Sequence, residues 1–203
     1  MKLGMVTYNM GKDMDCAALI AFCQEVGLEG VELRAKHAHG VELDLDARQR
    51  AEVRTRFADA GIDIVGLGST YEFHAKDPAE VRANIDGAKA YAQLAADVGA
   101  SGIKLRPNAL HEDEDPHVTC ERIGLAWREV AAFAADRGVA TRMEVHGQGT
   151  KAPAMIRQMF DAADHPNQQV EVRRIVDGER HHEDDQRVDD GHEPHRDEDG
   201  SRH

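Results

Sequence analysis

Acidic, basic and imidazole side chains recur at the ends of short apolar runs in this sequence. One run, "VATRME" from residue 139, ends in Glu144 and is followed closely by His146. A carboxylate and an imidazole two residues apart in an extended chain point to the same side. Such a pair could hold a divalent cation or move a proton. Other apolar runs end in the same way and supply Glu32, Arg34, His37, His39, Glu72, His74, Lys104, Arg106 and Asn108.

Glu144 is the strongest single candidate for a functional side chain. It lies between Met143 and Val145, where a carboxylate costs free energy unless a partner satisfies it. The carboxylates and imidazoles of the group suit Mn²⁺, Mg²⁺ or Zn²⁺. Lys104 and Arg106 suit a phosphate, a carboxylate or a sugar hydroxyl.

Structural roles remain open for the other candidates. Glu32 and Arg34 alternate with apolar residues, so they could pair inside the fold or face the helices. His37 lies in a predicted loop and could be a solvated side chain. His74 and Lys104 have structural interpretations that are as reasonable as the functional ones.

The elements that must position these residues repeat along the chain. Four joints from helix to strand read "EVGLEGVELR", "DAGIDIVGLG", "DVGASGIKLR" and "DRGVATRMEV". Each has a glycine where a helix needs a left-handed residue to end, namely Gly27, Gly61, Gly99 and Gly138. The glycines are 34, 38 and 39 residues apart, about the length of one strand and one helix. The repeat therefore predicts βα units.

Capping residues and apolar runs identify the individual elements. Asp77 is a predicted N-cap, Pro78 follows at the first helical position and Glu80 at the capping-box position. The predicted strands are "LGMVTYN", "GVELR", "IDIVGLG", "GIKLR" and "ATRMEV". Alternating strands and helices predict a parallel sheet, in which ligands bind at the carboxyl ends of the strands. The candidate residues all fall at those ends.

Composition limits the function classes. The chain has 203 residues and a formal net charge of -13, which argues against binding to a nucleic-acid backbone. Three cysteines, an odd number without metal-site spacing, indicate a reducing compartment and predict a cytoplasmic protein. No run approaches the length of a membrane span, so we expect no membrane partner.

The composition changes abruptly near residue 168. Of the 36 residues from 168 to 203, 23 are Asp, Glu, Arg or His. Beyond its first few residues, this segment has too few apolar side chains to offset the entropy of folding, so we predict a domain over 1–167 and a disordered tail over 168–203. One hypothesis is that the tail is translated in a shifted reading frame; the alternative is a genuine acidic tail.

Several motifs carry a family resemblance. The stretches "GVELRAKHAHGVE", "GLGSTYEFHAKDPAEVRANI", "GIKLRPN" and "MEVHGQGTKAP" resemble the sugar phosphate isomerase/epimerase family of xylose isomerase-like TIM barrels. The resemblance implies a (βα)8 barrel with one divalent metal, Mn²⁺, Mg²⁺ or Zn²⁺, at its mouth. It implies that Glu144 is both a metal ligand and a proton-transferring catalytic residue. The expected substrate-binding residues are His37, His74, Lys104, Arg106 and His146.

The chain departs from the family pattern after the fifth unit. We expect a partial TIM barrel of five βα units that lacks strands six to eight and their metal ligands. The leading hypothesis is metal-assisted isomerisation or epimerisation of a keto sugar or related polyol, with impaired activity. One alternative is a non-catalytic remnant or interaction protein that self-associates through exposed barrel edges. Another is a complete five-stranded doubly wound domain.

Overall fold

Six parallel strands lie side by side in chain order in this computed structural model, which describes residues 2–171, with side chains for 2–169. The strands are β1 (Gly4–Val6), β2 (Gly30–Arg34), β3 (Asp63–Glu72), β4 (Gly102–Arg106), β5 (Ala140–Glu144) and β6 (Gln168–Glu171). The helices between them are α1 (Cys16–Val26), α2 (Ala47–Asp59), α3 (Pro78–Val98), α4 (Pro116–Ala135) and α5 (Pro153–Ala163). This is the predicted α/β architecture of a partial TIM barrel.

The sequential strand order excludes the doubly wound alternative. In a doubly wound sheet the strand order reverses at a switch point, and helices cover both faces. Here every strand pairs in parallel with the next one along the chain, from β1 to β6. Crossovers of one hand then put the helices on one face, as in a barrel. The prediction of a complete five-stranded doubly wound domain is therefore wrong.

The expected loss of strand six is also wrong. Residues 168–171, placed in the predicted tail, form β6 and pair with β5 in register from Thr141 opposite Gln168 to Glu144 opposite Glu171. The physical reason is that an open edge of β5 presents unpaired N–H and C=O groups, which four extended residues can satisfy. The remainder of the predicted tail lies outside the described residues.

The helix boundaries follow the predicted signals. Asp77 caps α3 by accepting a hydrogen bond from the Ala79 N–H, and Pro78 begins the helix. All four repeat glycines have the left-handed backbone, with φ of 74°, 72°, 78° and 69° for Gly27, Gly61, Gly99 and Gly138. The glycine repeat is therefore a true repeat of structure. It makes each strand begin at a similar distance from the preceding helix.

The face of the sheet that meets the helices is apolar. Val31, Leu33, Ile103 and Leu105 are almost completely buried there, in a core shared with the helices. Trp127 of α4 is also fully buried and donates its indole N–H to the Thr141 hydroxyl, 2.9 Å away. Burial of this area from water is the main force that holds the helices on the sheet.

The cysteines belong to this core as well. Cys16, Cys23 and Cys120 are buried and free, and burial raises the pKa of each thiol. Within residues 2–171, none of the helices combines the length and the apolar character that crossing a bilayer requires.

Candidate active site

The opposite, inner face of the sheet carries charge. Its centre is Lys104 on β4, whose side chain is 1% exposed. The Lys104 Nζ lies 2.5 Å from Glu32 Oε1 on β2 and 3.5 Å from Glu144 Oε2 on β5. Both carboxylates are themselves buried, with 7% of each residue exposed. One ammonium is thus shared by two carboxylates from strands on either side of it.

Strand register explains why these three side chains meet. In a strand, alternate residues point to one face, so Lys104 points inward while Ile103 and Leu105 point toward the helices. Lys104 is opposite Gly68 of β3, the strand that separates it from Glu32. A Cβ at residue 68 would lie 3.0 Å from Glu32 Oε1. The glycine therefore leaves room for Glu32 to reach across β3 to Lys104.

Burial of the three charged side chains of this cluster costs free energy. Removing charged groups from water costs several kcal/mol per ion, about as much as a close opposite charge returns. With both carboxylates ionised, Glu32, Lys104 and Glu144 together carry one net negative charge. The attraction between these charges therefore adds little net stability.

A second cluster of polar side chains lies next to the Lys104 cluster, at the mouth of the partial barrel. Arg106 of β4 pairs with Glu72 of β3, and the Asn108 side-chain amide donates to the same carboxylate. The Asn108 amide also lies 3.4 Å from His74 Nε2. Arg106 Nε, although buried, has no hydrogen-bond partner among the described residues.

The His74 imidazole is held by stacking rather than by a strong ion pair. Its ring stacks on His111 with centroids 5.5 Å apart, and its Nδ1 is 3.9 Å from Glu72 Oε2. Burial lowers the pKa of His74 and outweighs the opposite effect of Glu72. His74 is therefore suited to hydrogen bonding as a neutral ring near pH 7.

His37 lies in the loop after β2 and contacts the residue that follows β1. Its Nδ1 is 3.1 Å from the Thr7 hydroxyl, which also accepts a hydrogen bond from the Arg34 N–H. Burial, followed by the nearby Arg34, lowers the pKa of His37. His39, two residues on, has a structural role: its ring nitrogens contact the Arg34 carbonyl and the Val41 N–H.

The loop after β5 presents His146 to solvent. The His146 side chain is exposed, although the Thr150 hydroxyl lies 3.1 Å from its carbonyl oxygen. The same hydroxyl donates to the Asn108 carbonyl, which ties this loop to the loop after β4. Gly147 passes so close that a Cβ there would lie 1.9 Å from the Asn108 oxygen. His146 is thus at the mouth but outside the buried cluster.

Arg142 of β5 lies on the same inner face, two residues before Glu144. Its guanidinium donates to the Val65 carbonyl at 2.5 Å, the Ser101 hydroxyl at 3.1 Å and the Gln169 side chain at 3.2 Å, so it joins β3, β5, β6 and the residue before β4. Gly102 provides the space, because a Cβ at residue 102 would lie 2.5 Å from Arg142 Nη1. Charged side chains therefore fill the inner face where glycines leave space for them.

The described residues do not by themselves fit a divalent metal. Within them, no group of three or more His, Cys, Asp or Glu side chains is arranged to hold one ion. Glu144, the predicted ligand, has the Lys104 ammonium 3.5 Å from its Oε2, and that positive charge opposes a cation at the same oxygen.

Glu32, Glu72 and Asn108 were among the candidates at strand ends, but their partners were not predicted, and Arg142 was not among the candidates. Glu32 was recognised only as a residue that could pair inside the fold, and its partner proves to be Lys104. Glu72 and Asn108 surround Arg106 in the same way. The one available signal is position, because all three follow or end apolar runs in the repeat.

Comparison with known proteins agrees with the fold. A family model described as "Xylose isomerase-like TIM barrel" matches residues 20–172. A search of curated protein sequences finds no match.

Solved structures with the same fold include three proteins of low sequence identity. They are the probable 3-DHS dehydratase AsbF from Bacillus anthracis (19% identity, TM-score 0.65), an IolI protein with a bound zinc atom (14%, 0.70) and a D-psicose 3-epimerase in the presence of D-fructose (19%, 0.66). Each alignment covers 84% of this chain and 62% of the other. The chain thus spans about three-fifths of the length of these neighbours.

Proposed function

The chain belongs to the xylose isomerase-like TIM-barrel family, and from this premise we propose that it is a sugar isomerase- or epimerase-like protein that binds a keto sugar or related polyol at its inner face. The observation that carries the proposal is the buried ammonium of Lys104 between Glu32 and Glu144 on the inner face of the sheet. Polyol hydroxyls can both donate to carboxylates and accept from guanidinium and ammonium groups. A sugar phosphate is the finer form of the same proposal, since Arg106 at the mouth suits a phosphate.

In the proposed reaction, Glu144 is the catalytic residue. Its carboxylate accepts the proton from the carbon next to the substrate carbonyl and returns it to the former carbonyl carbon on the same face, while the hydroxyl proton passes to the former carbonyl oxygen; epimerisation would need a second proton donor on the opposite face. The negative charge that then develops on the substrate oxygens is close to Lys104, whose buried position strengthens the attraction. Arg106 and His74 bind substrate hydroxyls, while His37 and His146 contribute from the surrounding loops.

A divalent metal is the finer part of the family expectation. The neighbour with zinc supports it for the fold, but the donor set within residues 2–171 does not fit an ion, so no step of the reaction is assigned to one. A Mn²⁺ titration tests this directly. Micromolar binding that is lost in Glu144→Gln would establish Glu144 as a ligand.

The test of the proposed function is calorimetric titration with D-fructose and with D-fructose 6-phosphate. We expect the wild-type chain to bind at least one of them, and Glu144→Gln to weaken that binding about tenfold or more. Glu129→Gln is the matched control, because Glu129 pairs with Arg82 and Lys89 on the helical surface, away from the mouth. Absence of binding to both sugars, or equal binding by wild type and Glu144→Gln, would contradict the proposal.

A second candidate function, self-association, is favoured by an apolar groove next to β6. The groove has a volume of about 990 Å³. Its apolar lining includes Val145, Pro153, Ile156, Phe160 and Pro166, and the charged Lys151, Arg157, Asp161 and Asp164 also line it. We propose that another copy of the chain covers it, because open apolar surface beside a strand edge promotes pairing. Light scattering tests this: Ile156→Asp should shift an oligomeric wild type toward monomer, whereas a wild-type monomer at all concentrations would contradict it.

We propose that the sequence from about residue 168 reflects a change of reading frame, although residues 168–171 still pair as β6. Reading the coding DNA in all three frames tests this, since the proposal requires βα-spaced apolar runs in another frame. A cytoplasmic location is supported by the free, buried cysteines and is tested by cell fractionation.

A further inference from the structure

Glu32 has no role in the proposed reaction, yet it makes the closest contact in the buried cluster. Its Oε1 is 2.5 Å from Lys104 Nζ, a full 1 Å closer than Glu144 Oε2. Neither this oxygen nor the Lys104 nitrogen forms another hydrogen bond among the described residues. The pair is therefore held mainly by the mutual attraction of the two charges.

Two features that cost stability bring this pair together. The first is the burial of both charges, which a pair of apolar side chains would replace without loss. The second is Gly68 in the middle of β3, where glycine weakens a strand and leaves a gap. A Cβ at residue 68 would meet Glu32 Oε1 at 3.0 Å and the Arg34 backbone at 3.4 Å. Both features have the same result, which is to deliver a carboxylate from β2 to the ammonium on β4.

We propose that Glu32 is a positioning residue: it fixes the Lys104 ammonium beside Glu144 and so sets the orientation of the Glu144 carboxylate. The functional meaning of this role rests on the proposed function, in which Glu144 moves the proton. Without Glu32, the ammonium would be drawn fully to Glu144 as a direct ion pair. Glu144 would then lose part of its freedom to accept a proton from a substrate.

The test uses nuclear magnetic resonance of the whole chain and does not require activity. All seven lysines lie in the described part of the chain, and Lys104 alone among them is buried. Its ammonium should give a side-chain ¹⁵N signal that persists near pH 7, assigned by its loss in Lys104→Arg. The Glu144 carboxyl ¹³C signal is assigned in the same way with Glu144→Gln.

We expect Glu32→Gln to shift both signals. Glu32→Asp, which keeps the charge one methylene shorter, should restore them in part, and the surface control Glu129→Gln should move neither. The proposal is overturned if the Glu144 signal is the same in Glu32→Gln and in the wild type. It is also overturned if the Lys104 signal depends on Glu144 but not on Glu32. Circular dichroism of each variant shows whether it is folded, and Glu32→Asp carries the test if Glu32→Gln is not.

A measurement of sugar binding distinguishes failure of this inference from failure of the proposed function. If the wild type binds D-fructose, Glu32→Gln should weaken binding about tenfold, as is usual when a group that orients a ligand-contacting residue is lost. Unchanged affinity would show that Glu32 is structural only and would overturn the proposal. If the wild type binds neither D-fructose nor D-fructose 6-phosphate, the proposed function fails, and the two resonance signals alone decide the role of Glu32.

Discussion

The two faces of one sheet differ completely in chemistry. Ile103 and Leu105 enter an apolar core beneath the helices, whereas Lys104, between them in sequence, enters a cluster of carboxylates. The outer face is closed by large side chains. The inner face keeps Gly66, Gly68 and Gly102, with charged side chains in the space above them.

The outer face holds the fold together, whereas the inner face carries the charged side chains. Burial of apolar area on the outer face contributes roughly 25 cal/mol per Å², and it needs only shape and hydrophobicity. The inner face gains little net free energy from its ion pairs, because desolvation offsets attraction. We propose that its residues serve binding and proton transfer rather than folding.

The largest effect is expected at the centre of the inner face. Lys104→Met leaves Glu32 and Glu144 buried without their cation, and loss of one partner from a buried pair costs about 4 kcal/mol. Urea unfolding followed by the fluorescence of the single tryptophan, Trp127, measures the free energy of unfolding. Lys89→Met, which removes a partly exposed partner of Glu129, should cost under about 1 kcal/mol. Equal losses in the two variants would show that the Lys104 cluster is not tightly coupled.

On the outer face, Leu105→Ala should lower the free energy of unfolding by about 3 kcal/mol, because it opens a cavity in a packed core. The same urea experiment applies. Leu125→Ala is the matched control, because Leu125 is 48% exposed and its truncation should cost under about 0.5 kcal/mol. Unlike Lys104→Met, Leu105→Ala should leave sugar binding intact. A loss of binding with stability retained would contradict the division between the faces.

A glycine beneath the inner cluster should also resist substitution. In Gly102→Ala, the new methyl group would lie 2.5 Å from Arg142 Nη1 and 2.9 Å from the Ala140 carbonyl oxygen. We expect a loss of about 2 kcal/mol, measured by thermal unfolding. Adding Arg142→Ala should relieve the side-chain contact and recover part of the loss relative to Arg142→Ala alone. A stabilised Gly102→Ala would show that the space is not needed for Arg142.

The smallest effect is expected for the pH dependence of the free energy of unfolding, through a histidine in the loop after β2. Burial lowers the pKa of His39 below its ordinary value of 6.5, despite the nearby Arg34 carbonyl and Glu42. The unfolded chain therefore binds more protons than the folded chain just below pH 6.5, so stability must fall as pH decreases through that value toward the folded pKa. His39→Asn should reduce the slope of unfolding free energy against pH. An identical slope in both proteins would show that His39 does not contribute.

The sequence was sufficient to predict the elements and most of their ends. Gly27 and Gly99 are left-handed C-caps, Gly61 and Gly138 are left-handed residues just after the caps of α2 and α4, and the five predicted strands are all present. These features are local, so a short window of residues determines them. The short strand β6 was missed because its pairing depends on the free edge of β5 rather than on its own residues.

The site was only partly predictable, because its contacts join residues that are distant in sequence. Repeat position identified Glu144, Lys104 and Arg106 as neighbours at strand ends. The pairing of Glu32 with Lys104 depends on a gap at Gly68, in a strand that lies between them in space. Nothing near Glu32 in sequence indicates that gap. Likewise, the exposure of His146 follows from the turn at Gly147 and the Thr150 contacts, which a two-residue spacing does not reveal.

The central claim is that the inner face supports proton transfer through Glu144. It is tested most directly by incubating the chain with D-fructose in D₂O and following deuterium at the carbons next to the carbonyl by nuclear magnetic resonance. The account predicts slow incorporation by the wild type that falls to the buffer rate in Glu144→Gln. Incorporation at the same rate with wild type, Glu144→Gln and buffer alone would contradict it.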